Sequence, residues 1–238
     1  MTRYSSTDDQ DRGEGCPADF VPEGAAFTGM VQPDISLPPP KKGKATSLFG
    51  ALKRRQTIRE ISMKPLPLQQ LANLLWAACG VNRRSGPFGI PGRTAASASN
   101  SQEIDVYVAT KEGAYLYDPA AHHLTRVSDE DLRGYAQTPG QRNIVSKAPT
   151  QLIYVVDLDR LTHTKGFDEP GLHDPEVQKS YYFVDTGLIA GNVYLYAAAQ
   201  GLAAWFHNCD RHALAQKLDL EPEERVLFAQ SVGFPEKG

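Results

Sequence analysis

The segment that most constrains this fold is the longest helical pattern in the sequence, residues 181–200. Apolar residues occupy most sides of this predicted helix, and a helix of that kind lies in a core or at a subunit interface. Gly201 follows directly and predicts the end of the helix. Asp185 interrupts the apolar surface, and a carboxylate in such surroundings needs a partner. So much apolar surface does not suit the outside of a small monomer, and we therefore expect a homodimer.

Shorter patterns before and after this helix mix helices with strands in no regular order. Helices are predicted from Thr46 or Ser47 to Arg55, from Leu68 to a stop at Gly80, and from Asp210 to Leu218, and strands over Ile104–Thr110, Ala114–Tyr117, Gln151–Asp157 and Arg225–Val232. Ser128 and Asp131 also resemble a capping box that opens a short helix. Because strands and helices do not alternate strictly, the pattern favours an α+β fold.

The first 44 residues differ in composition from the remainder of the 238-residue chain. An acidic stretch comes first, three consecutive prolines follow at 38–40, and lysines come after them. Such a composition is typical of a flexible or extended arm. We therefore expect an N-terminal arm over residues 1–44 and one compact domain over residues 45–238.

Charge and cysteine content narrow the partners and the compartment. The formal net charge is −3, so the chain has no overall basic field that would attract nucleic acid or an acidic membrane surface. The sequence contains no stretch of about 18 apolar residues, and its N-terminus lacks the apolar run of a secretory signal. Three cysteines without a C-x-x-C pair argue against a disulfide framework. We expect a cytoplasmic protein that acts on small molecules.

Three segments place polar side chains in patterns that suit a cofactor, and the first is residues 54–59. It reads R-R-Q-T-I-R and holds three guanidinium groups and a hydroxyl. Guanidinium groups bind phosphate in a bidentate manner, and a hydroxyl adds a further donor. The same residues also suit a charged helix end that the helix dipole stabilises.

The second segment, residues 93–102, is rich in small residues that let a flat ligand approach the backbone closely. Its amides Asn100 and Gln102 add donors and acceptors, although a polar loop before a strand has the same composition. The third segment, residues 199–209, runs from a helix end through an apolar stretch into polar residues. Donors at its end could hydrogen-bond one edge of a buried heterocycle.

In their order and spacing these three segments resemble the nitroreductase family, over about Thr46–Pro235. The resemblance implies that the first segment grips the phosphate and ribityl chain of FMN, and that the second comes from the other subunit and lies on the flavin. In the third, Phe206 and His207 would flank the ring, while Asn208 and Cys209 would present backbone groups toward the flavin N5. The positions implied to bind FMN are Arg55, Gln56, Thr57, Arg59, Ala96, Ser97, Ala98, Asn100, Phe206, His207, Asn208 and Cys209.

The same resemblance implies a fold and an activity. The fold is a three-layer α+β domain with a mainly antiparallel central sheet flanked by helices, and two subunits form a homodimer with two FMN sites. The activity is a ping-pong hydride transfer through flavin N5, with NADH or NADPH as the reductant and nitro or quinone-type small molecules as acceptors. Because the flavin performs this chemistry, no catalytic side chain is implied.

Residues 74–80 and the pair Arg93-Thr94 resemble one branch of the family, the azoline dehydrogenases. That branch has a P-S-A-G-A-x-Y segment, and A-S-A-S-N-S-Q occupies its place here. Two alternatives therefore stay open beside a general nitroreductase activity. One is a substrate-specific flavin dehydrogenase related to the azoline enzymes, and the other is a flavin-binding protein without turnover.

His207, Cys209 and His212 could instead bind a metal, because imidazole and thiolate groups suit zinc. No second cysteine–histidine pair with the expected spacing accompanies them, so the sequence favours no metal site. Cys209 beside a histidine could also be a nucleophile, which requires a lowered thiol pKa.

Overall fold

The structure is a computed structural model that describes residues 34–41, 47–140, 148–165 and 173–236. The strands of the described part are β1 (Asp34–Ser36), β2 (Val81–Arg83), β3 (Gly92–Arg93), β4 (Ile104–Thr110), β5 (Gly113–Asp118), β6 (His123–Ser128), β7 (Thr150–Asp157), β8 (Ala203–His207) and β9 (Glu224–Gly233). Seven of them form one sheet in the order β1-β6-β5-β4-β7-β9-β8, and β2 pairs with β3. Every strand pair among the described residues is antiparallel.

Helices cover both faces of the central sheet. The described α-helices are α1 (Leu48–Arg54), α2 (Leu68–Cys79), α3 (Leu158–Thr162), α4 (Pro175–Gln200) and α5 (Arg211–Lys217). Helices α2 and α4 pack against each other on one face, and α5 and the 3-10 turn Leu132–Gly134 cover the opposite face. Two separate apolar clusters fill the spaces between the layers. The predicted three-layer α+β fold with an antiparallel sheet is therefore confirmed.

The centre of the sheet consists of β4 and β7, which the sequence predicts to within a residue. In β4, Val106 and Val108 face the layer of α2 and α4, while Tyr107 and Ala109 face the layer of α5. This alternation follows from the pleat of a strand. Strand β7 is apolar on both faces because both faces are covered, which explains why its sequence reads as a continuous apolar run.

Three strands of the sheet, β1, β6 and β8, are not predicted by the sequence pattern. In β6 only Leu124 is buried, so the strand lacks a clear alternation. Strand β8 lies within the apolar stretch that follows the long helix. Gly201 has φ 68°, a left-handed conformation that glycine adopts readily, and the Leu202 N–H donates to the Ala197 carbonyl at 2.9 Å. This turn takes the chain from α4 directly into β8.

The long helix α4 begins six residues before the predicted start at Tyr181. Asp174 caps it by accepting a hydrogen bond from the Glu176 N–H at 2.9 Å, and Pro175 occupies the first turn. Proline suits this position because its missing N–H would have no partner inside the helix. The first turn is largely exposed, so the apolar pattern starts only later.

Two further findings qualify the sequence analysis. The capping box is wrong in detail, because β6 ends at Ser128 and Asp131 caps the 3-10 turn instead, accepting the Arg133 N–H at 3.2 Å. Most of the predicted arm lies outside the described residues, but residues 34–36 form β1 at the edge of the sheet. Among the described helices, none has the length and apolarity that a membrane span requires.

Candidate functional site

Two of the three predicted cofactor segments meet near the C-terminal end of α4. The Ile58 N–H donates to the Ala204 carbonyl at 3.1 Å, so the chain after α1 runs along the free edge of β8. The Tyr194 hydroxyl joins the two segments. It accepts the Phe206 N–H at 2.8 Å and lies 3.2 Å from the Thr57 hydroxyl. The fold thus places the arginine-rich residues directly beside the apolar segment that follows the long helix.

We call residues 53–59 the cationic segment. The guanidinium carbon of Arg55 lies 5.6 Å from the ring centre of Tyr194, and that of Arg59 lies 5.1 Å from the ring centre of Trp205. Within the described part of the chain, neither arginine forms an ion pair with a carboxylate. Aromatic faces orient both cations without using their hydrogen-bond donors, which stay available for an anion.

An open cavity of about 320 Å³ lies beside the cationic segment. It is lined by Lys53, Arg54, Arg55, Gln56, Ile58, Ala198, Gly201 and Leu202. Arg54 is fixed at its wall, because its Nε donates to the Ala198 carbonyl at 3.2 Å. A phosphate group requires donors and positive charge, and this wall provides both.

Neighbouring side chains of β8 point to opposite faces of the sheet. The half-buried Phe206 lies on the face of α4, with ring-centre distances of 4.8 Å to Phe228 and 6.0 Å to Tyr154. His207 lies on the other face, is 6% exposed, and has Trp205 at a ring-centre distance of 4.9 Å. Phe206 therefore keeps some ring surface for a ligand, whereas the ring of His207 is enclosed by the protein.

His207 belongs to a buried chain of hydrogen bonds. Its Nδ1 lies 2.9 Å from the Asn208 carbonyl, and its Nε2 lies 2.8 Å from the Ser231 hydroxyl, which lies 2.8 Å from the Gln151 amide. Burial lowers the pKa of His207, so the ring is neutral near pH 7 and its Nδ1–H donates to the carbonyl. Any effect of His207 on a ligand would therefore pass through the backbone of Asn208.

The alternative roles of Cys209 and its neighbours find no support. Burial raises the pKa of the Cys209 thiol to about 12, and a nucleophilic cysteine requires a shift in the opposite direction. Both ring nitrogens of His207 already have partners inside the protein. Across the described ranges, no group of three histidine, cysteine, aspartate or glutamate side chains could hold a metal ion.

The remaining predicted segment, the second along the chain, contacts a different part of α4. We call residues 96–102 the small-residue segment. The Ala98 N–H donates to the Asp185 carboxylate at 2.8 Å, and the Gln102 N–H donates to the Ser97 hydroxyl at 3.0 Å. Asp185 thus has the partner that its place on an apolar helix requires.

Several residues of the small-residue segment have strained backbones. Ser99, Asn100 and Gln102 have φ values of 48°, 57° and 55°, in the left-handed region. Each such residue other than glycine costs about 1 kcal/mol or more, so the surrounding contacts must hold the segment in place. The side-chain amides of Asn100 and Gln102 do so by donating to the carbonyls of Ile90 and Pro91 at 3.3 and 2.7 Å.

The two halves of the candidate site are separated along α4 within one chain. The small-residue segment contacts Asp185 and the cationic segment contacts Tyr194. Nine residues of helix span about 14 Å. This separation is consistent with a site whose halves come from different subunits, as the family resemblance implies.

Sequence reasoning missed three residues that the structure places in these contacts, Tyr194, Trp205 and Glu103. Tyr194 precedes Phe206 by twelve residues. The glycine that ends the helix after Tyr194 indicates that the chain reverses direction between the two residues. Glu103 directly precedes the strand predicted over Ile104–Thr110, and a carboxylate that is buried there needs a partner. Nothing in the sequence indicates the contact of Trp205 with the cationic segment, because an aromatic residue in an apolar stretch usually packs in a core.

Comparisons with known proteins identify the family. The model of the Nitroreductase family matches residues 52–234. The protein named "Putative nitroreductase" in Methanocaldococcus jannaschii is 30% identical to this chain over 176 residues, which cover 71% of this chain and 80% of that protein.

Two solved structures place the fold in the same group. The crystal structure of a "putative nitroreductase" from Ralstonia eutropha has a TM-score of 0.76 at 33% identity, covering 90% of this chain and 94% of that one. The NADPH:FMN oxidoreductase of Vibrio harveyi, solved with NAD+, has a TM-score of 0.54 at 20% identity, covering 80% of this chain and 69% of that one. The latter shares the fold with this chain.

Proposed function

The chain belongs to the nitroreductase family and is an oxidoreductase, and from that premise we propose that its cofactor is FMN. The observation that carries this proposal is the junction at Tyr194, where the cationic segment and β8 meet beside an open cavity. The Vibrio harveyi relative of the same fold has FMN in its name, which supports the same cofactor class.

The residues present fit the phosphate of FMN. Arg55 and Arg59 are exposed cations that face aromatic rings and have no described acid as a partner. Thr57, whose hydroxyl reaches Tyr194, and Gln56 add neutral donors beside them. This donor set suits a doubly charged phosphate, which binds most strongly to several convergent cationic and neutral donors.

The residues at the end of β8 fit a flat heterocycle. The half-buried ring of Phe206 offers apolar contact, and the exposed Asn208 offers backbone polar groups at the same strand end. Ala96, Ser97 and Ala98 of the small-residue segment would supply the opposite wall, because their small side chains permit close backbone approach. When bound, FMN would supply hydride transfer at its N5. The chain itself would bind, orient and shield the ring.

The first experiment on this proposal is the visible absorption spectrum of the purified protein, followed by chromatography of any flavin released on denaturation. A yellow protein that releases FMN is the expected result. A colourless protein that also takes up no added FMN would overturn the proposal. Release of FAD instead would contradict the assignment of the cavity to a single phosphate.

We propose in addition that NADH or NADPH is the reductant and that nitro or quinone-type small molecules are acceptors. The measurement is oxidation of each nicotinamide cofactor in the presence of a nitroaromatic compound or a quinone. Turnover with either acceptor supports a general nitroreductase. Bound flavin that neither nicotinamide cofactor reduces would instead favour the substrate-specific dehydrogenase or the flavin-binding protein without turnover.

The proposed enzyme is a homodimer, and α1 and α4 provide the apolar surface for it. Six large apolar side chains of these two helices are exposed: Leu48, Phe49, Leu52, Phe183, Val184 and Leu188. Phe49 is 84% exposed and Val184 is 59% exposed. Exposed apolar groups of this size mark interaction surfaces in soluble domains.

Glycines on the exposed face of α4 would let a second helix approach closely. Gly187 and Gly191 are one helical turn apart, and a side chain added at either would meet no other part of the subunit. Val184 and Leu188 flank Gly187 on this face. Two copies of α4 could therefore cross at these glycines with their apolar neighbours interlocked.

A charge at this surface tests the dimer. We expect Val184→Glu to weaken dimerisation by about 100-fold or more, because a carboxylate would be buried without a partner. The matched control is Val127→Glu, at another exposed valine that lies on β6. Sedimentation velocity at micromolar concentration measures both, and a dimer that persists in the Val184→Glu variant would contradict the proposed interface.

A further inference from the structure

Two carboxyl groups contact each other beneath the small-residue segment. Glu103 is 0% exposed and Asp185 is 5% exposed, and both side chains line one small cavity, close enough for a hydrogen bond between the carboxyl groups. Each also holds part of the segment above. Asp185 accepts the Ala98 N–H at 2.8 Å, and Glu103 accepts the Ser101 hydroxyl at 2.6 Å.

The closeness of these two buried carboxyl groups favours a shared proton when the segment is closed. Two ionised carboxylates in contact repel each other strongly in a water-poor site, so at most one of them is charged. The second oxygen of Glu103, Oε1, is buried and accepts a hydrogen bond from no described donor, as expected of the oxygen that bears the proton. Glu103 would then donate to Asp185, which remains an acceptor for Ala98.

The charged groups around the pair do not replace this proton. Cys79 and Arg93 line the same small cavity, and burial raises the pKa of the Cys79 thiol to about 12, so that thiol is neutral. The positive charge of Arg93 lowers the pKa of Cys79, and its buried Nε donates to no described acceptor, so that atom forms no hydrogen bond with either carboxyl group. On the other side of β4, Arg160 is engaged by the carboxylates and the carbonyl that it contacts, Asp105, Asp157 and the backbone of Gln102.

We propose that Glu103 and Asp185 are positioning residues that share one proton and hold the small-residue segment closed, and that loss of this proton releases the segment. Where it concerns FMN, this inference rests on the proposed function. The segment would move before the helix does, because repulsion between two carboxylates would push its anchors apart, and the left-handed backbones of Ser99, Asn100 and Gln102 would then relax.

The direction of the pH dependence follows from the burial of the pair. Burial raises the pKa of Glu103 to about 7, and it raises the pKa of Asp185 as well. In the open segment these groups would return to ordinary values, near 4.5 for Glu103. The open fraction should therefore rise by about tenfold per pH unit between those two values and level off above about pH 7.

Hydrogen exchange of the amides in residues 96–102, corrected for intrinsic base catalysis, measures the open fraction directly. We expect opening to increase by about tenfold per pH unit from pH 5 to 7 and to level off by pH 8. An open fraction that stays constant across this range would overturn the proposal. This readout needs no bound flavin, so it stands even if the proposed cofactor is wrong.

Two variants replace the shared proton with a permanent N–H group. Glu103→Gln can donate to Asp185, and Asp185→Asn can donate to Glu103 while its oxygen still accepts from Ala98. Glu103→Gln removes the titrating group and should keep the segment closed at all pH values, whereas Asp185→Asn should move the pH dependence to lower pH, because Glu103 stays buried but gains an N–H donor. The control, Glu223→Gln, removes one exposed carboxylate elsewhere and should behave as the wild type does. A pH dependence that survives in a folded Glu103→Gln variant, or one that keeps its midpoint in a folded Asp185→Asn variant, would refute the shared proton.

Release of FMN provides a second readout on the complete enzyme. If the segment covers the flavin, the rate of FMN release should rise from pH 5 to 7 in the wild type and stay constant in Glu103→Gln. Failure of the wild type to bind FMN at any pH would overturn the proposed function alone. The hydrogen-exchange experiment would still test whether Glu103 and Asp185 share a proton. Bound FMN with normal segment opening but a constant release rate would show that the segment does not gate the flavin.

Discussion

The cationic segment and the small-residue segment belong to the same proposed FMN site, yet the protein holds them in opposite ways. The cationic segment lies on the surface, where aromatic rings orient Arg55 and Arg59 and no described carboxylate neutralises them. The small-residue segment is strained, extensively hydrogen-bonded and supported from below by two buried carboxyl groups.

The comparison distinguishes residues that bind the ligand from residues that stabilise the structure of its site. Hydrogen-bond donors that face solvent until an anion binds contribute little to the stability of the fold. Their loss should therefore lower the affinity for the ligand and leave the stability of the protein unchanged. A loop that must present its backbone at a fixed place needs internal support, so the loss of that support should affect stability first. The following predictions test this separation, in order of decreasing effect.

The largest effect is expected from removing both free cations. Arg55→Ala/Arg59→Ala should weaken FMN binding by about 100-fold or more, because two charge-assisted contacts to the phosphate would be lost. The free energy of unfolding without FMN should change by less than about 0.5 kcal/mol, since both side chains are exposed. Lys111→Ala/Arg225→Ala removes the same charge elsewhere and serves as the control. Fluorescence titration with FMN measures the affinity, and an unchanged affinity would refute the phosphate assignment.

Removal of the Asp185 carboxylate, which supports the small-residue segment, should instead lower the stability of the protein. Asp185→Ala should lower the free energy of unfolding by about 2 to 3 kcal/mol, because the Ala98 N–H and the buried Glu103 both lose their partner. The control is Asp129→Ala, a carboxylate whose side chain is 86% exposed in an ion pair with Arg126, where the loss should stay below about 1 kcal/mol. Urea unfolding compares the two. Equal losses would erase the distinction between the two segments.

The pH dependence of stability should be a signature of the small-residue segment alone. The raised pKa of Glu103 adds stability that is fully present below about pH 4.5 and is lost as the pH rises through about 7. The wild type should therefore lose up to about 2 kcal/mol from this group between pH 5 and 7. Subtracting the profile of Glu103→Gln removes the contributions of other groups, including His207. Parallel wild-type and variant profiles would contradict the assignment.

The smallest effect is expected at the hydroxyl that joins the cationic segment to β8. Tyr194→Phe should lower the free energy of unfolding by about 1 kcal/mol, because the Phe206 N–H loses its acceptor. FMN binding should weaken by no more than about tenfold. The matched change is Tyr196→Phe, whose hydroxyl donates to the Gln70 carbonyl over a long 3.5 Å distance. If both tyrosine variants behave alike, the junction at Tyr194 has no special role.

Long and strongly periodic elements were predictable from the sequence. Helices α2 and α4 and strands β4 and β7 each have an apolar pattern long enough to identify the element. Strands β6 and β8 escaped prediction, because a strand with few buried residues or inside an apolar stretch has no distinctive period. The start of α4 was missed for a related reason, since its first turn is exposed and is set by Asp174 and Pro175.

By itself, the sequence determined the fold class, the family and the segments from which a cofactor site could be built. Those properties depend on local periodicity, glycine and proline positions and the order of short motifs along the chain. Only the tertiary structure decided which side chains face each other. It turned Phe206 and His207 to opposite faces of β8, and it brought Tyr194 to both segments of one half-site. It also paired Glu103 with Asp185, because contacts between residues far apart in sequence arise only when the sheet and the helix pack together.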